Sequence, residues 1–386
     1  MAMPQLPRVV VSSQSTPSFE SRIAAVRLAL RERGIDCLLV SSPENVRYLA
    51  GFAGSAGWVL VSAGDIVLAT DARYTEEARR DCPGATVRLA QRGLIDFVTE
   101  YATEQGLHTL GFEGEQMPHN KVQDIRSAIA RAGARCEATP TDGIVEHLRM
   151  VKDEDELEAM ARAASLADGA IAYARTVIRC GMTERDIAWH IERWLREHGS
   201  EHVPFQIIVA SGPNAALPHA TPGDRQIAEG EPIVIDLGAT WAGYCSDLTR
   251  TLFMGHMSPP FDAVYRTVLS AQKAALAGVR TGMRAVEVDE FARRVIRDAG
   301  LESSFTHGLG HGVGLQIHET PGVSSRSTDV LQERVTFTIE PGVYLPGHGG
   351  VRIEDTVVLL DGRAQSLTHS DKDDPIIEIS CEHPPS

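Results

Sequence analysis

"PIVIDLGATWAGYCSDLTRTLFM" occupies residues 232–254, and "VTFTIEPGVYLPGHGGVRIEDTVVL" occupies residues 335–359. Each reads as a strand, a glycine-bearing turn and a second strand. Each also carries two carboxylates, Asp236 with Asp247 and Glu340 with Glu354. A first hairpin turning about Trp241 and Ala242 predicts Asp236 directly opposite Asp247. A second turning about Gly347 sets Glu340 opposite Glu354. Opposed residues on antiparallel strands share a face, with Cβ atoms about 4.5–5.5 Å apart. The chain presents the same acid-pair device twice.

What precedes the two hairpins is also repeated. "ARTVIRCGMTERDIAWHIERWLREHG" (174–199) lies on "ALAGVRTGMRAVEVDEFARRVIRDAG" (275–300) without a gap. Gly-Met recurs at 181–182 and 282–283, Ile187 meets Val288, Trp194 meets Val295, and Gly199 meets Gly300. In both copies one helix reaches a glycine-containing break and a second amphipathic helix ends on glycine. On that second helix Trp189, Ile191 and Trp194 are read as core residues. Helix, break, helix, acid-bearing hairpin, all duplicated, predicts a pseudo-two-fold unit.

Upstream, residues 20–150 alternate helical and strand patterns. "SRIAAVRLALRERG" stops at Gly34, "DCLLVSS" and "GWVLVSAGDIVLATD" read as strands with a turn around Gly64-Asp65, and "DIRSAIARAG" is a helix ending on glycine. Such alternation predicts a layered α/β domain. "RMVKD" then leads into the acidic helix start "DEDELEAM", which suits the helix dipole. The expected division is 1–150 and 151–386, in a mixed α/β (α+β) architecture, with both chain ends frayed.

Composition narrows the function. Of 386 residues, 43% are hydrophobic and 23% charged, as in a soluble globular protein. No apolar run approaches the roughly 20 residues that span a bilayer, so no membrane partner is expected. A net charge of −15 argues against nucleic acid. The six cysteines lie far apart with no CxxC pair, which excludes a cysteine zinc cage of usual spacing and predicts reduced, mostly buried thiols. A cytoplasmic location is expected by default, since "MAMPQLPRVVVSSQSTPSFESR" shows no basic segment followed by a long apolar core.

Four carboxylates among Val, Ile, Leu and Phe are costly to bury without cations. Two divalent metals would offset the repulsion. "HGLGHGVGLQIH" (307–318) supplies an imidazole as fifth ligand. Its glycines do not make a phosphate fingerprint between strand and helix; they let backbone pass close to the site. An oxygen-rich set with one imidazole favours Mn2+, Co2+, Fe2+ or Zn2+. Two such ions, about 3.5–4 Å apart, can hold one hydroxide and polarise a carbonyl together. Hydrolysis of an amide or similar C–N bond is the expected chemistry.

"VIDLGATWAGYCSDLTRT", "HGLGHGVGLQIHE", "TIEPGVY" and "GGVRIEDTVVL" resemble the signatures of the pita-bread metallopeptidases. "SGPNAALPHA", "NVRYLAGFAGSAG" and "TDARY" resemble its proline-specific branch, Xaa-Pro aminopeptidase and Xaa-Pro dipeptidase, over roughly residues 20 to 365. The resemblance implies a creatinase-like N-terminal domain, two divalent ions per subunit with Mn2+ foremost, and a homodimer or higher homo-oligomer. It implies that Asp247 and Glu354 bridge the ions, that Asp236 completes one site, and that His311 and Glu340 complete the other. Glu340 would also pass the proton of the bridging water. His219 is similar to the family histidine that steadies substrate or its tetrahedral intermediate. His318 resembles one contacting the scissile carbonyl region, and His307 one lining the proline side. Arg352, two residues before Glu354 and so on the same strand face, is read as a brace for a ligand carboxylate.

Arg326 stands fourteen residues before Glu340, where dipeptidases of this kind have a carboxylate-holding arginine; a solvated loop suits it equally. The remaining singled-out histidines, His108, His119, His147, His190, His198 and His348, carry no companion pattern, and His348 reads as a hairpin-tip residue. In "ERVTFTIEPG" the chain departs from the Gly-Met that the family usually places before this strand. The expected activity is release of the first residue from peptides with proline in second place. An Xaa-Pro dipeptidase is the alternative, and a catalytically dead protein-binding module a remoter one. Creatinase-like amidine hydrolysis fits poorly because that relative does not use this metal set, and methionine aminopeptidase lacks the N-terminal domain.

Overall fold

In a computed structural model the described residues are 19–378; the two terminal stretches read as frayed, and Cys381, lie outside them. Residues 19–149 and 150–378 form two compact units.

The first unit is built on a six-stranded sheet ordered Thr86–Leu89, Ile66–Thr70, Gly57–Ser62, Cys37–Val40, Thr109–Glu113, Glu137–Thr141. The Gly57–Ser62 and Ile66–Thr70 pair is an antiparallel hairpin turning over residues 63–65, while Cys37–Val40 runs parallel to Thr109–Glu113. Leu38, Leu39, Leu60, Leu68 and Leu110 are buried from both faces, because helices such as Phe19–Arg33, Leu94–Glu104 and His119–Arg131 cover the sheet. In "TDARY", Asp71 and Arg73 pair at the surface and the Tyr74 hydroxyl lies 2.8 Å from Ser55 Oγ.

The second unit repeats itself as expected. Helices Glu154–Val177 and Glu184–Glu197 precede the strands Ile208–Ser211, Pro232–Leu237 and Leu248–Met254. Helices Pro259–Gly278 and Ala285–Asp298 precede Gly310–Gly312, Thr336–Ile339 and Asp355–Leu360. In each half the second of those strands pairs antiparallel with the first and the third. The glycine breaks match in conformation: Gly181 has φ +87° and Gly282 φ +88°, a region where side chains other than glycine are disfavoured. Asp153 caps the helix Glu154–Val177 through a capping box with Glu156, which explains the acidic start.

Two expectations need correction. The first hairpin turns over Ala242 and Gly243, both at positive φ, with Trp241 paired to Tyr244. A two-residue turn of this hand matches strand twist, and it moves the register. Asp236 faces Thr249, and Asp247 lies level with Gly238. A two-residue offset keeps both acids on one face, since strand side chains alternate with period two. In the second hairpin Gly342 pairs with Arg352 and Ile339 with Asp355, so the same register does set Glu340 opposite Glu354. Second, Trp189 is 62% exposed and is not core. Ile187, Ile191 and Leu195 form the buried stripe, and Trp189, two residues from Ile187, points about 200° away around the helix. Trp194 packs partly, with its ring against Gly169.

The departure "ERVTFTIEPG" falls at a demanding place. Arg334 has φ +66°, which explains a glycine preference there, and its Nε donates to Lys152 O at 2.6 Å.

Candidate metal centre and active site

The acid-bearing strands of the two halves meet along one seam. Thr356 Oγ1 donates to Asp247 O at 2.8 Å, Glu354 N–H to Thr249 O at 3.1 Å, and Thr251 Oγ1 to Arg352 O at 2.9 Å. Threonine hydroxyls thereby stand in for ladder hydrogen bonds. The seam brings Asp247 and Glu354, 107 residues apart in sequence, to one point.

A cavity of about 400 Å³ opens there. It is lined by all nine residues assigned to metal or substrate from the sequence: Asp236, Asp247, His311, Glu340, Glu354, His219, His307, His318 and Arg352. Donor atoms of Asp247, His311 and Glu354 lie within 4.8 Å of one another. Phe205, Ile208, Pro218 and Ile317 form apolar wall. Arg326 does not line the cavity; it is exposed in a loop, its N–H on Ser324 Oγ at 3.3 Å. His348 is exposed at the hairpin tip.

Two atoms mark this donor set as suited to cations. Asp236 Oδ1 is buried and has no hydrogen-bond partner. His311 Nδ1 donates to Gly312 O at 3.0 Å, which leaves Nε2 bare, and burial lowers the pKa of this ring. Yet Nε2 faces Glu340 Oε1 at 3.4 Å and Asp247 Oδ2 at 3.6 Å. A lone pair turned at two carboxylates is repulsive unless a cation lies among them. Burial raises the carboxyl pKa values of Asp247, Glu354 and Glu340; neighbouring carboxylates add to this, Glu354 foremost for Asp247 and Glu340 foremost for Glu354. These residues fit divalent metal.

The three loop histidines differ in what their nitrogens do. His307 Nδ1 donates to Gly308 O at 2.7 Å, and its Nε2 accepts from the Tyr344 hydroxyl at 2.9 Å. Tyr344 in turn accepts from Arg352 Nη1 at 2.8 Å. His307 is thus a neutral ring locked on both sides. His318 packs edge-on against His311 with centroids 4.2 Å apart. Neither His318 nor His219 makes a hydrogen bond within the described residues, so both rings are available to a ligand. Arg352 Nη2 donates to Asp236 Oδ2 at 2.6 Å, and Nη1 also reaches Pro218 O at 3.2 Å.

Several supporting residues gave no signal in the sequence. Thr249 Oγ1 donates to Glu354 Oε2 at 2.6 Å, and Thr338 Oγ1 to Glu340 Oε1 at 3.0 Å. Asp355, 1% exposed, accepts from Arg250 and Thr368 on one oxygen and from Gln272 and Lys372 on the other. Arg250 Nη1 also donates to Glu354 O, which fixes the backbone beside that carboxylate. Only the alternation of strand faces could have hinted at Thr249 and Thr338; the others require the fold.

Residues 158–361 match the model of Metallopeptidase family M24, and residues 22–151 match the Creatinase/Prolidase N-terminal domain. The chain is 35% identical over 343 residues to an Xaa-Pro dipeptidase of Pyrococcus furiosus, covering 89% of this chain and 96% of that one. Among solved structures it resembles an Xaa-Pro dipeptidase from Bacillus anthracis, at 37% identity and a TM-score of 0.89 over 93% of this chain and 100% of that one. It also resembles an X-Pro aminopeptidase from Thermotoga maritima, at 36% identity and a TM-score of 0.84 over 92% and 99% of the two chains. With a duplicated acid-bearing hairpin, a histidine loop between its copies and these matches, the chain belongs to the pita-bread metallopeptidases of family M24, in the proline-specific branch with a creatinase/prolidase N-terminal domain.

Proposed function

We propose that the protein is an Xaa-Pro dipeptidase that uses two divalent ions per subunit. The observation that carries this reading is the gathering of five ligand-type side chains on one cavity, with Asp236 Oδ1 buried and unpartnered and His311 Nε2 turned at two carboxylates. In this reading Asp236, Asp247, His311, Glu340 and Glu354 would hold the ions, with Asp247 and Glu354 shared between the two sites, Asp236 belonging to one, and His311 with Glu340 to the other. Four carboxylates and one imidazole suit Mn2+, Co2+, Zn2+ or Fe2+, and the family resemblance puts Mn2+ first among them. When bound, the metal supplies an activated water near neutral pH and polarises the scissile carbonyl.

The chain's own residues do the rest. Glu340, on the cavity wall with an oxygen 3.4 Å from His311 Nε2, would take up the proton released as the peptide bond is attacked. His219 and His318 present free imidazoles to the substrate carbonyl and the tetrahedral species that follows it. His307 offers its locked ring as wall on the proline side, and Arg352 holds Asp236 in place. Proline lacks an N–H and has a fixed φ, so an apolar, shaped wall such as Phe205, Ile208 and Ile317 suits it better than a peptide-backbone clamp.

The sequence put Xaa-Pro aminopeptidase first. Relatives named Xaa-Pro dipeptidase from two Pyrococcus species and from B. anthracis support the dipeptidase better, so the order is reversed. The aminopeptidase stays as second reading, favoured by the T. maritima similarity. The test is hydrolysis of Xaa-Pro against Xaa-Pro-Xaa peptides after reconstitution with Mn2+, Co2+ or Zn2+. Cleavage confined to dipeptides is expected, and efficient release of the first residue from tripeptides overturns it in favour of the aminopeptidase. Metal-loaded protein inert toward both leaves the binding module.

Further proposals accompany this one. The domain division is placed at 150/151, next to the boundary between the compact units. Five unpaired cysteines among the described residues support a reducing, cytoplasmic location, and no helix there is long and apolar enough to cross a membrane. Assembly as a homodimer follows the family resemblance and is checked by light scattering.

A further inference from the structure

The second helix of each repeat sends one fully buried carboxylate into the segment that carries a pocket histidine. From helix Glu184–Glu197, Glu184 is 0% exposed. It accepts from Ser211 N–H at 2.7 Å, Ser211 Oγ at 2.8 Å, Asn214 Nδ2 at 3.1 Å and Gly223 N–H at 3.1 Å. Ser211 and Gly223 bound the stretch that contains His219, so one carboxylate ties both ends of that loop. From helix Ala285–Asp298, Asp289 is 1% exposed and accepts from Leu309 N–H at 3.1 Å. It also pairs with Arg293, which donates to His307 O at 3.0 Å and to Phe305 O at 3.3 Å. The Arg293 guanidinium lies 4.3 Å over the Phe305 ring. The loop around His307 is therefore gripped at 305, 307 and 309.

The two braces are not copies of one residue. In the ungapped repeat Glu184 lies on Ala285, and Asp289 lies on Ala188. The carboxylates come from positions one helical turn apart, and one works alone while the other works through an arginine. One brace holds the segment that follows the first strand of its half and the other the segment that precedes it, so each half secures its pocket histidine by different residues. Burying a charge is costly unless its hydrogen bonds are filled, and here every bond goes to a histidine-bearing loop or to the partner arginine.

We propose that Glu184 and Asp289, with Arg293, are positioning residues that hold the His219 and His307 loops in register with the metal site. The proposal rests on the reading of those histidines as substrate-facing. Each brace acts on its own loop, and neither contributes a metal ligand.

The test has two arms, on metal-loaded full-length protein. The first is hydrogen–deuterium exchange in Glu184→Gln and Asp289→Asn. Faster exchange is expected at 211–223 only in the first variant and at 305–309 only in the second, with metal content unchanged. Exchange rising equally in both segments, or metal lost in both variants, overturns the proposal. This arm needs no turnover, so it stands even if the proposed peptidase activity fails. The second arm is a double-mutant cycle on an Xaa-Pro dipeptide. Glu184→Gln should lower kcat by up to about 10²-fold, the scale of a displaced catalytic contact. In a His219→Ala background the same change should cost less than about twofold, because its effect runs through that ring. Equal losses in both backgrounds would mean a general structural role and sink the proposal. If Glu184→Gln does not fold, Asn214→Ala removes one donor and leaves the backbone bonds; its exchange at 211–223 must still rise. Arg293→Lys serves the same purpose for the other loop.

Discussion

Arg352 Nη2 donates to Asp236 Oδ2 at 2.6 Å, while the other oxygen of the same carboxylate is buried with no partner. One side of Asp236 is held, and the other is the oxygen that the proposed reading assigns to a cation. The same arginine reaches Tyr344 and, through it, His307.

Arg352→Lys keeps the charge and loses the fork that serves Asp236, Tyr344 and Pro218 together. Loss of such a support to a ligand costs about 10–100-fold in metal affinity or activity. Calorimetric titration of chelator-stripped protein with Mn2+ measures it. Affinity and turnover unchanged from wild type would contradict this account of Arg352.

His311→Ala removes the bare Nε2 that faces Asp247 and Glu340. Metal stoichiometry should fall in that variant. His318→Ala and His307→Ala should keep their metal and lose turnover, the latter also freeing Tyr344 and Arg352 from their hydrogen-bond chain. Metal analysis of the three purified variants decides the matter, and equal loss in all three refutes the division of roles.

The pH dependence of stability should differ between stripped and loaded protein. Without metal, burial and mutual repulsion hold the Asp247, Glu340 and Glu354 carboxyls above their ordinary range. Above about pH 4, the ordinary carboxylate value, the folded chain then binds more protons than the unfolded one. Its stability falls as pH rises through the raised values. Metal takes the place of those protons, so the loaded protein escapes the loss. The Tm gap between loaded and chelated samples should be small near about pH 5 and widen toward about pH 7.5. A gap that narrows as pH rises would count against the acidic cluster as a metal site.

Gly310 runs so close to the neighbouring strand that a Cβ would strike the backbone of Thr338. Gly310→Ala should cost about 1–3 kcal/mol through overpacking. Gly322, on the strand paired with it, has open space around its Cβ position, and Gly322→Ala should stay within about 0.5 kcal/mol. Urea unfolding of both variants gives the comparison. Similar costs at the two glycines would show that close approach is not what the loop requires at 310.

The glycines of "HGLGHGVGLQIH" illustrate what was legible and what was not. Their number pointed to backbone passing close to the site, and Gly310 and Gly312 do meet neighbouring backbone. The separate fates of the three histidines depended on Gly308 O, Gly312 O and the Tyr344 hydroxyl. No spacing within the loop encodes those contacts.

The sequence by itself determined the duplicated helices, the glycine-containing breaks at 181 and 282, and the four carboxylates on strand faces toward one interior. These follow from local periodicity, 3.6 residues on helices and two on strands, which a single stretch of chain displays. Tertiary structure alone decided that Asp236 faces Thr249, that Trp189 faces outward, and that Glu184 and Asp289 grip the histidine loops. The register hung on the conformation of Ala242 and Gly243. The two brace carboxylates join residues 20 to 39 positions away, and the seam joins Asp247 to Glu354 across 107. Contacts over such separations leave no periodic trace, because only the packed fold brings their partners within hydrogen-bond reach.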